Sequence, residues 1–580
     1  MSARHLPWAG VARRFGLAGE VRPLVGERTA NAVLVGAGDR PVAVLKLHPA
    51  GDGPQIDLET AALAHLAQQP DLNRHVPQVL RTADGASVIE VSTGDGVRLA
   101  RALSWVPGRT WRSADATPDQ LAGLGRVVAR VDLALAGFDH PHAGRSLPWN
   151  LVEAGTALTL VDNVPDPDRR QAARVVLQHF VDQVAPRLAD LDRQVIHNDA
   201  NPANIVLDED GDPPGPGLID FGDLCRAPRI CGLAVACAYV IAGDPGAPSG
   251  LAASGSSTPD TSVPEFSAPE DPWRVVGPLV AGYHELAPLT GVELELLPDL
   301  VRTRLALSVV MAGWQHARDP ANAYLLSSQD AVAPAVDRLA ARARLPHSRL
   351  EPARLRRELG LEAWPGAAAV RDHLGEVTPR PVLGRPLAEI GREVMDWSMP
   401  DPPAVTVRER HVLIGRYLED RTVYRTEAYR TPTGERRTIH LGVDLFVPAG
   451  HPLHAPLDGV VEALGDNTAP LDYGPVIILR HRTGDGTEFF TLYGHLARTS
   501  LAGLAVGDRV AAGQVFATVG TPQENGGWEP HLHLQVLTDL LGMGLDVPGV
   551  GTRGDLDLWA ELCPDPNLIL RVPESLDARS

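Results

Sequence analysis

The texture of the chain changes once, near residue 405. Before it, long helix-like stretches (Leu58–Ala67, Leu121–Ala136, Arg170–Leu191, Arg302–Ala317, Ala331–Ala343) follow a few extended runs (Ala32–Val35, Val42–Leu47, Ser87–Val91). After it, short strand-like runs succeed one another, Gly459–Ala463, Val476–Arg480, Glu488–Leu492, Gln514–Val519 and His531–Val536, with Gly, Pro, Asp and Asn between them. Apolar residues repeating every 3.6 and every 2.0 positions serve different packing layers. A chain of 580 residues with such a break is multidomain, two large units or three to four smaller ones. The front half reads as α+β, a small sheet first and helices later, and the back as a compact all-β domain.

The joints lie where Gly and Pro cluster. Gly243 to Pro272 is too polar and too rich in breakers to fold alone and reads as a disordered insertion. Glu351 to about Val405 is Pro- and Arg-rich with one or two short helices, the pattern of a linker or small bridging unit. The expected organisation is a first domain over 1–345 interrupted at 243–272, a linker over 346–405, a second domain over 406–540 and a tail over 541–580.

Net charge is 53 − 72 = −19 without long charged blocks, so no basic footprint for nucleic acid exists. No apolar run approaches the ~20 residues of a membrane span, and Met1–Glu20 lacks the apolar core of a secretory signal. A cytoplasmic protein is the expectation. Four cysteines make no disulfide framework, and Cys231 and Cys237, on an apolar helix-like run, are expected to be buried packing residues.

Of the 53 basic residues, 52 are arginine and one, Lys46, is lysine. A pyridoxal-phosphate enzyme needs a lysine anchor, and a P-loop needs one inside G-x-x-x-x-G-K-[ST], which Lys46 does not occupy. Lys46 instead ends the strand-like run Val42–Leu47. Downstream, His197-Asn198-Asp199-Ala200-Asn201-Pro202-Ala203-Asn204 has the H-x-D-x-x-x-x-N form of a phosphotransfer loop, and Asp220-Phe221-Gly222 supplies its D-F-G. Phosphoryl transfer needs a carboxylate to orient or deprotonate the attacking hydroxyl, and an amide oxygen and second carboxylate for Mg²⁺. Asp199 fits the first role, and Asn204 and Asp220 the metal roles. Glu59 opens a helix that would bring it to Lys46, the pair that holds ATP phosphates. Gly26–Asn31 is a weak counterpart of a glycine-rich loop.

These motifs resemble the aminoglycoside phosphotransferase and choline kinase family over about residues 15–345. The resemblance implies a protein-kinase-like fold, with Ser104, Trp105 and Val106 as the hinge receiving adenine and Asp223 as a carboxylate bracing the loop. It implies ATP- and Mg²⁺-dependent phosphorylation of a small hydroxyl compound, an amino alcohol or aminoglycoside.

The back domain carries His440-Leu441-Gly442-Val443-Asp444, Tyr493-Gly494-His495-Leu496 and His531-Leu532-His533. On extended chain, 440 and 444 share a face, as do 531 and 533, so two histidines and a carboxylate converge on one ion. Three protein ligands with a fourth position for water is the catalytic zinc arrangement. The pattern resembles the lysostaphin and LytM type of zinc endopeptidase over about 408–540, on a barrel-like sheet. By that resemblance His440, Asp444 and His533 would ligate Zn²⁺, and His495 and His531 would stabilise the transition state or shuttle protons. His451, His454 and His481 match nothing and are expected to be surface or packing residues. The domain would hydrolyse or only bind a peptide-like ligand.

The domain order also resembles the front of bacterial fusions that continue into a pyridoxal-phosphate aminotransferase or phospholyase. With its one lysine assigned, this chain would need a separate partner for that activity. The competing expectation is a peptidoglycan-directed zinc endopeptidase or wall-sensing protein with an inactive nucleotide-binding module. Intact Lys46, Asp199, Asn204 and Asp220 count against it.

Overall fold

The structure is a computed structural model describing residues 6–24, 29–94, 96–112, 116–208, 210, 215–243, 272–319, 350–399, 405–424, 426–431 and 435–580. Nearly all of the insertion, the helical pattern Ala331–Ala343 and residues 26–28 of the glycine-containing loop lie outside those residues. The chain divides into two compact units, Met1–Ala340 and Ala341–Ser580.

In the first unit, β1 (Glu20–Leu24), β2 (Ala30–Val35), β3 (Pro41–Pro49), β4 (Val79–Leu80), β5 (Ile89–Thr93) and β6 (Gly96–Ser104) form an antiparallel sheet in the order β1-β2-β3-β6, with β4 and β5 both pairing β6. Strand alternation decides its faces. Ala43, Leu45 and Leu47 of β3 join Ala100 and Ala102 of β6 in a core with Trp8, Val11 and Phe15 beside them. The intervening residues Lys46 and Arg101, directly paired across β3 and β6, therefore share the opposite face. The helix Gly53–Leu66 lies between β3 and β4, and after β6 come β7 (Arg109–Thr110), β8 (Gln194–Ile196), β9 (Ile205–Asp208), β10 (Gly215–Leu218) and β11 (Cys225–Ala227), paired as β10-β9-β7 and β11-β8.

Helices dominate the rest of this unit. Pro118–Leu135 starts on a capping box of Thr117 and Gln120, and Gly291–Arg318 on one of Thr290 and Glu293. Gly125 and Gly282 let Pro118–Leu135 and Pro272–Leu286 touch, since a Cβ at either would strike the Leu279 or Ala122 carbonyl. Cys231 and Cys237 are fully buried in the helix Ile230–Ala242, as expected.

The second unit is sheet-rich. Its main sheet runs β12 (Gly391–Val394), β13 (His411–Gly415), β15 (Val443–Phe446), β22 (His531–Leu537), β19 (Glu488–Gly494), β18 (Gly474–Arg482), β17 (Gly459–Asn467) and β20 (Arg509–Val510). Only the β12–β13 pairing in it is parallel. Smaller pairs join β14 (Arg437–His440) to β23 (Val550–Thr552) and β16 (Pro452–His454) to β21 (Val515–Thr518).

The segment expected to be a linker is built into this unit, and so is the expected tail. Trp364, Ala367, Val370, Leu374 and Leu383 from the former share one core with Trp559, Leu562, Ile569 and Leu576 from the latter and with the sheet. Arg354 grips Asp555 with bonds of 2.6 and 2.8 Å, and the Trp364 indole donates to Leu558 O at 3.0 Å. The Pro and Arg residues that suggested a linker are spacers between these buried positions. Among the described residues, no helix is long and apolar enough to cross a membrane.

Candidate functional sites

In the first unit, Asp199 follows β8 on a loop that Asn198 turns with φ +66°. Its Oδ2 accepts from Asn204 Nδ2 at 2.7 Å and Asn201 Nδ2 at 3.0 Å. Oδ1 accepts from Arg304 Nη2 at 3.2 Å. With its amide nitrogen so engaged, Asn204 keeps its carbonyl oxygen for another partner. Burial pushes the Asp199 carboxyl up to about 7, the Arg304 charge opposing and the Asp223 charge assisting. Asp220, held at φ +60°, meets the Lys46 ammonium at 3.0 Å. Burial would raise its carboxyl, but the charge and hydrogen bond of Lys46 hold it below the usual range. Arg145 donates to the carbonyls of Gly222 and Leu224 and so braces the turn Phe221–Asp223.

Lys46 thus meets Asp220 and Asn204 meets Asp199, and the Ile219 backbone N–H, beside Asp220, donates to Asn204 O at 2.8 Å. The side-chain oxygens of Asn204 and Asp220 are of the donor type Mg²⁺ takes. Ser104–Val106 leaves β6 toward β7. Ser104 Oγ accepts from Gln78 N at 2.8 Å, Trp105 N bonds Val42 O, and Val106 is buried.

Glu59 departs from its expected role. Its carboxylate pairs with Arg101 of β6, and Lys46 pairs with Asp220. Arg101 lies directly across the sheet from Lys46, and its longer, forked side chain takes the helix carboxylate. Arg304 was missed as well. It is a buried cation in the helix Gly291–Arg318, between the rings of Trp149 (5.0 Å) and Tyr239 (5.4 Å). Its signal in the sequence is weak, an arginine beside Arg302 and Thr303 at the start of the apolar run Leu305–Gly313.

In the second unit, His440 ends β14, and Asp444 of β15 stands across from His533 of β22. His440 Nε2, Asp444 Oδ1 and His533 Nδ1 lie 3.0 to 3.2 Å from one another. The outer atoms fix the tautomers. His440 Nδ1 faces Arg416 O at 2.8 Å, and since a carbonyl only accepts, that nitrogen carries the proton. His533 Nε2 faces Gln535 Oε1 at 3.2 Å, and Gln535 Nε2 donates to Pro548 O and Cys563 Sγ, which fixes Oε1 as acceptor. Two nitrogen lone pairs and a carboxylate oxygen therefore aim at one point with no proton between them. Such a set fits a cation, and nitrogen with oxygen fits zinc.

Asp444 is further held by Arg421, whose Nη1 reaches Oδ2 at 2.7 Å while Nε reaches Glu419 Oε2 at 2.9 Å and the guanidinium covers Trp397 at 4.5 Å. Burial works against the Asp444 charge, but His440 and Arg421 keep its carboxyl far below the ordinary range. Burial first, with the Arg421 charge, lowers the His440 imidazole to about 4.

His495, in the left-handed region at φ +63°, donates Nδ1–H to Asn525 O at 2.9 Å. His531 donates Nδ1–H to Glu529 O at 2.7 Å. Each keeps Nε2 as a proton acceptor, and burial lowers both imidazoles. All five predicted residues line one cavity of about 510 Å³, walled by Trp397, Tyr424, Phe446, Tyr473 and Trp528. His454 and His481, by contrast, are spent on local bonds to Gly513 O, Asp458 O and Thr491. Glu419, Arg421 and Gln535 were not anticipated. Gln535 had a signal, since 531, 533 and 535 alternate on one face of a strand.

Residues 20–264 match the phosphotransferase enzyme family, and residues 438–542 match peptidase family M23. Hydroxylysine kinase of Mus musculus is 27% identical over 248 residues, 41% of this chain and 59% of that protein. The chain therefore spans about three fifths of that relative's length. The DD-carboxypeptidase/endopeptidase Mpg of Neisseria meningitidis serogroup B is 35% identical over 97 residues, 17% of this chain and 20% of that protein. Among solved structures, an amicoumacin kinase is similar with a TM-score of 0.42 and 15% identity, over 58% of this chain and 95% of that one.

Proposed function

With residues 20–264 belonging to the phosphotransferase enzyme family and residues 438–542 to peptidase family M23, we propose that the chain is a cytoplasmic enzyme. Its first unit phosphorylates the hydroxyl of a small amino alcohol from ATP, and its second cleaves a peptide-like substrate at a zinc site. The observation that carries the first half is the joint placement of Lys46, Asp199, Asn204 and Asp220. Likeness to hydroxylysine kinase supports a hydroxyl-bearing amine as acceptor.

Asp199 orients the acceptor hydroxyl and takes its proton as the oxygen attacks, with Asn201, Asn204 and Arg304 holding the carboxylate in place. Such general-base assistance contributes about 10²–10⁴ in rate. Lys46 leaves Asp220 to meet the nucleotide phosphates as a compact charge. Asn204 and Asp220 would hold Mg²⁺, which neutralises charge on the transferring phosphoryl group.

In the second unit, His440, Asp444 and His533 would hold Zn²⁺, which polarises a carbonyl and acidifies a bound water. His495 and His531, neutral and with free Nε2 lone pairs, accept the proton released from water and return one to the leaving amine.

An ATP-consumption screen over hydroxylysine, simple amino alcohols and aminoglycosides tests the first half. At least one amine-bearing alcohol is expected to raise turnover above the acceptor-free rate, and no increase with any of them refutes the assignment. Zinc analysis of the protein and of a His440→Ala, His533→Ala double variant tests the second, which fails if the variant retains the metal.

A further inference from the structure

Kinase sites of this type give one lysine two tasks, pairing with a helix glutamate and binding phosphate. Here the tasks are divided. Arg101 Nη2 pairs with Glu59 Oε1, the two side chains being 1% and 2% exposed. Arg101 Nε also donates to His48 Nε2 at 3.2 Å. Burial, then the charges of Arg101 and Lys46, lower that imidazole to about 3, so it stands neutral as an acceptor. Lys46 Nζ reaches Asp220 instead. The helix bearing Glu59 also bears Gln55, whose Nε2 donates to Gly222 O at 3.2 Å, two residues beyond the metal-binding Asp220. Arg101, Glu59 and Gln55 therefore form a physical connection from β6, through the helix Gly53–Leu66, to the Asp220 turn.

We infer that Arg101 is a positioning residue of the nucleotide site: it takes the helix glutamate in place of Lys46, fixes the helix that braces the Asp220 turn, and leaves Lys46, poised on Asp220, unshared with that glutamate. The inference rests on the phosphotransferase reading above. Removing Arg101 strands a buried carboxylate, so Glu59 and Arg101 must be coupled. Glu59 and Lys46 act separately, and their effects multiply.

The test is a pair of double-mutant cycles on full-length protein, reading the Kd of a fluorescent ATP analogue with Mg²⁺ by titration, beside the thermal midpoint. Arg101→Gln is expected to weaken binding about tenfold, and Glu59→Gln with Arg101→Gln to be no weaker than Arg101→Gln alone, a coupling of about tenfold. Glu59→Gln with Lys46→Ala should equal the product of the single effects within about twofold. Arg101→Lys keeps the charge, is expected to recover binding to within about threefold, and serves if Arg101→Gln does not fold.

Coupling of Glu59 to Lys46 rather than to Arg101 overturns the inference. So does a lowered thermal midpoint for Arg101→Lys and Arg101→Gln with an unchanged Kd, which would make the pair purely structural. A wild-type protein that binds no nucleotide refutes the phosphotransferase reading itself, a result distinct from both.

Discussion

Replacing Gly442 by alanine is expected to empty the zinc site while the second unit stays folded. Gly442 lies midway between His440 and Asp444, and a Cβ there would sit 2.6 Å from Leu534 O and 2.7 Å from Cε1 and Nε2 of His533. Non-bonded carbons settle near ~3.5 Å, so the imidazole must retreat by roughly 0.8 Å, against a tolerance of about 0.2 Å in a metal–ligand distance. The ring also loses its bond to Gln535. Zinc affinity is expected to fall by at least about 100-fold, the upper end of what losing an outer-shell partner costs. Overpacking costs about 1–3 kcal/mol, less than the stability of about 5–15 kcal/mol typical of a domain. Competition with a chromophoric chelator gives the affinity, and circular dichroism with a thermal melt gives the fold. A folded variant that binds zinc within about threefold of wild type would refute the geometric argument.

Three further perturbations test other parts of the account. Gln535→Leu removes the acceptor that fixes the His533 tautomer, and chelator competition should show zinc affinity lowered about 10- to 100-fold; unchanged affinity would mean that the tautomer is set elsewhere. Lys46→Arg keeps the charge but replaces a compact ammonium by a planar fork, and ATP turnover is expected to drop about 100-fold or more, whereas near-normal turnover would remove Lys46 from the phosphate site. Asp132 is buried against Tyr283, whose hydroxyl donates to it at 2.8 Å, and burial raises its carboxyl to about 7. Its folded value lies above the unfolded one, so its contribution is full below the unfolded value near ~4 and is lost as pH rises toward ~7. The shifts of Asp199, His48 and His197 bear on the same pH range, so the difference between two proteins is read: by chemical denaturation, the stability of wild type minus that of Asp132→Asn should be larger at pH 5 than at pH 8, and a difference independent of pH would refute the raised Asp132 carboxyl.

The two sites differ in how far the sequence discloses them. The contact of Asp199 with Asn204 is legible because one short loop fixes their spacing, whereas His440 and Asp444, expected on one extended run, lie on β14 and β15, and Asp444 meets His533 through the pairing of β15 with β22. The partner of Glu59 is not legible. Arg101 reaches it only through the register of β3 against β6, which pairs positions 46 and 101 across a long intervening segment. Glu419 and Arg421 are hidden for a related reason, since nothing in a charged tripeptide shows that it folds under the Asp444 carboxylate. The segment 346–405, described over 350–399, reads as a linker because Pro and Arg dilute its apolar residues. Its burial depends on a complementary set more than 150 residues away, Trp559 to Leu576, which local periodicity does not report. The gain of the structure lies in those long-range pairings.

The phosphotransferase reading rests on Asp199 activating an acceptor hydroxyl for phosphoryl transfer from ATP. It is tested most directly by mass spectrometry of the acceptor after incubation with ATP and Mg²⁺, comparing wild type with Asp199→Asn, which preserves the shape of the side chain and removes its basicity. A phosphorylated acceptor is expected from wild type, formed about 10²–10⁴ times more slowly by the variant. Phosphorylated acceptor formed at equal rates by the two proteins would contradict it.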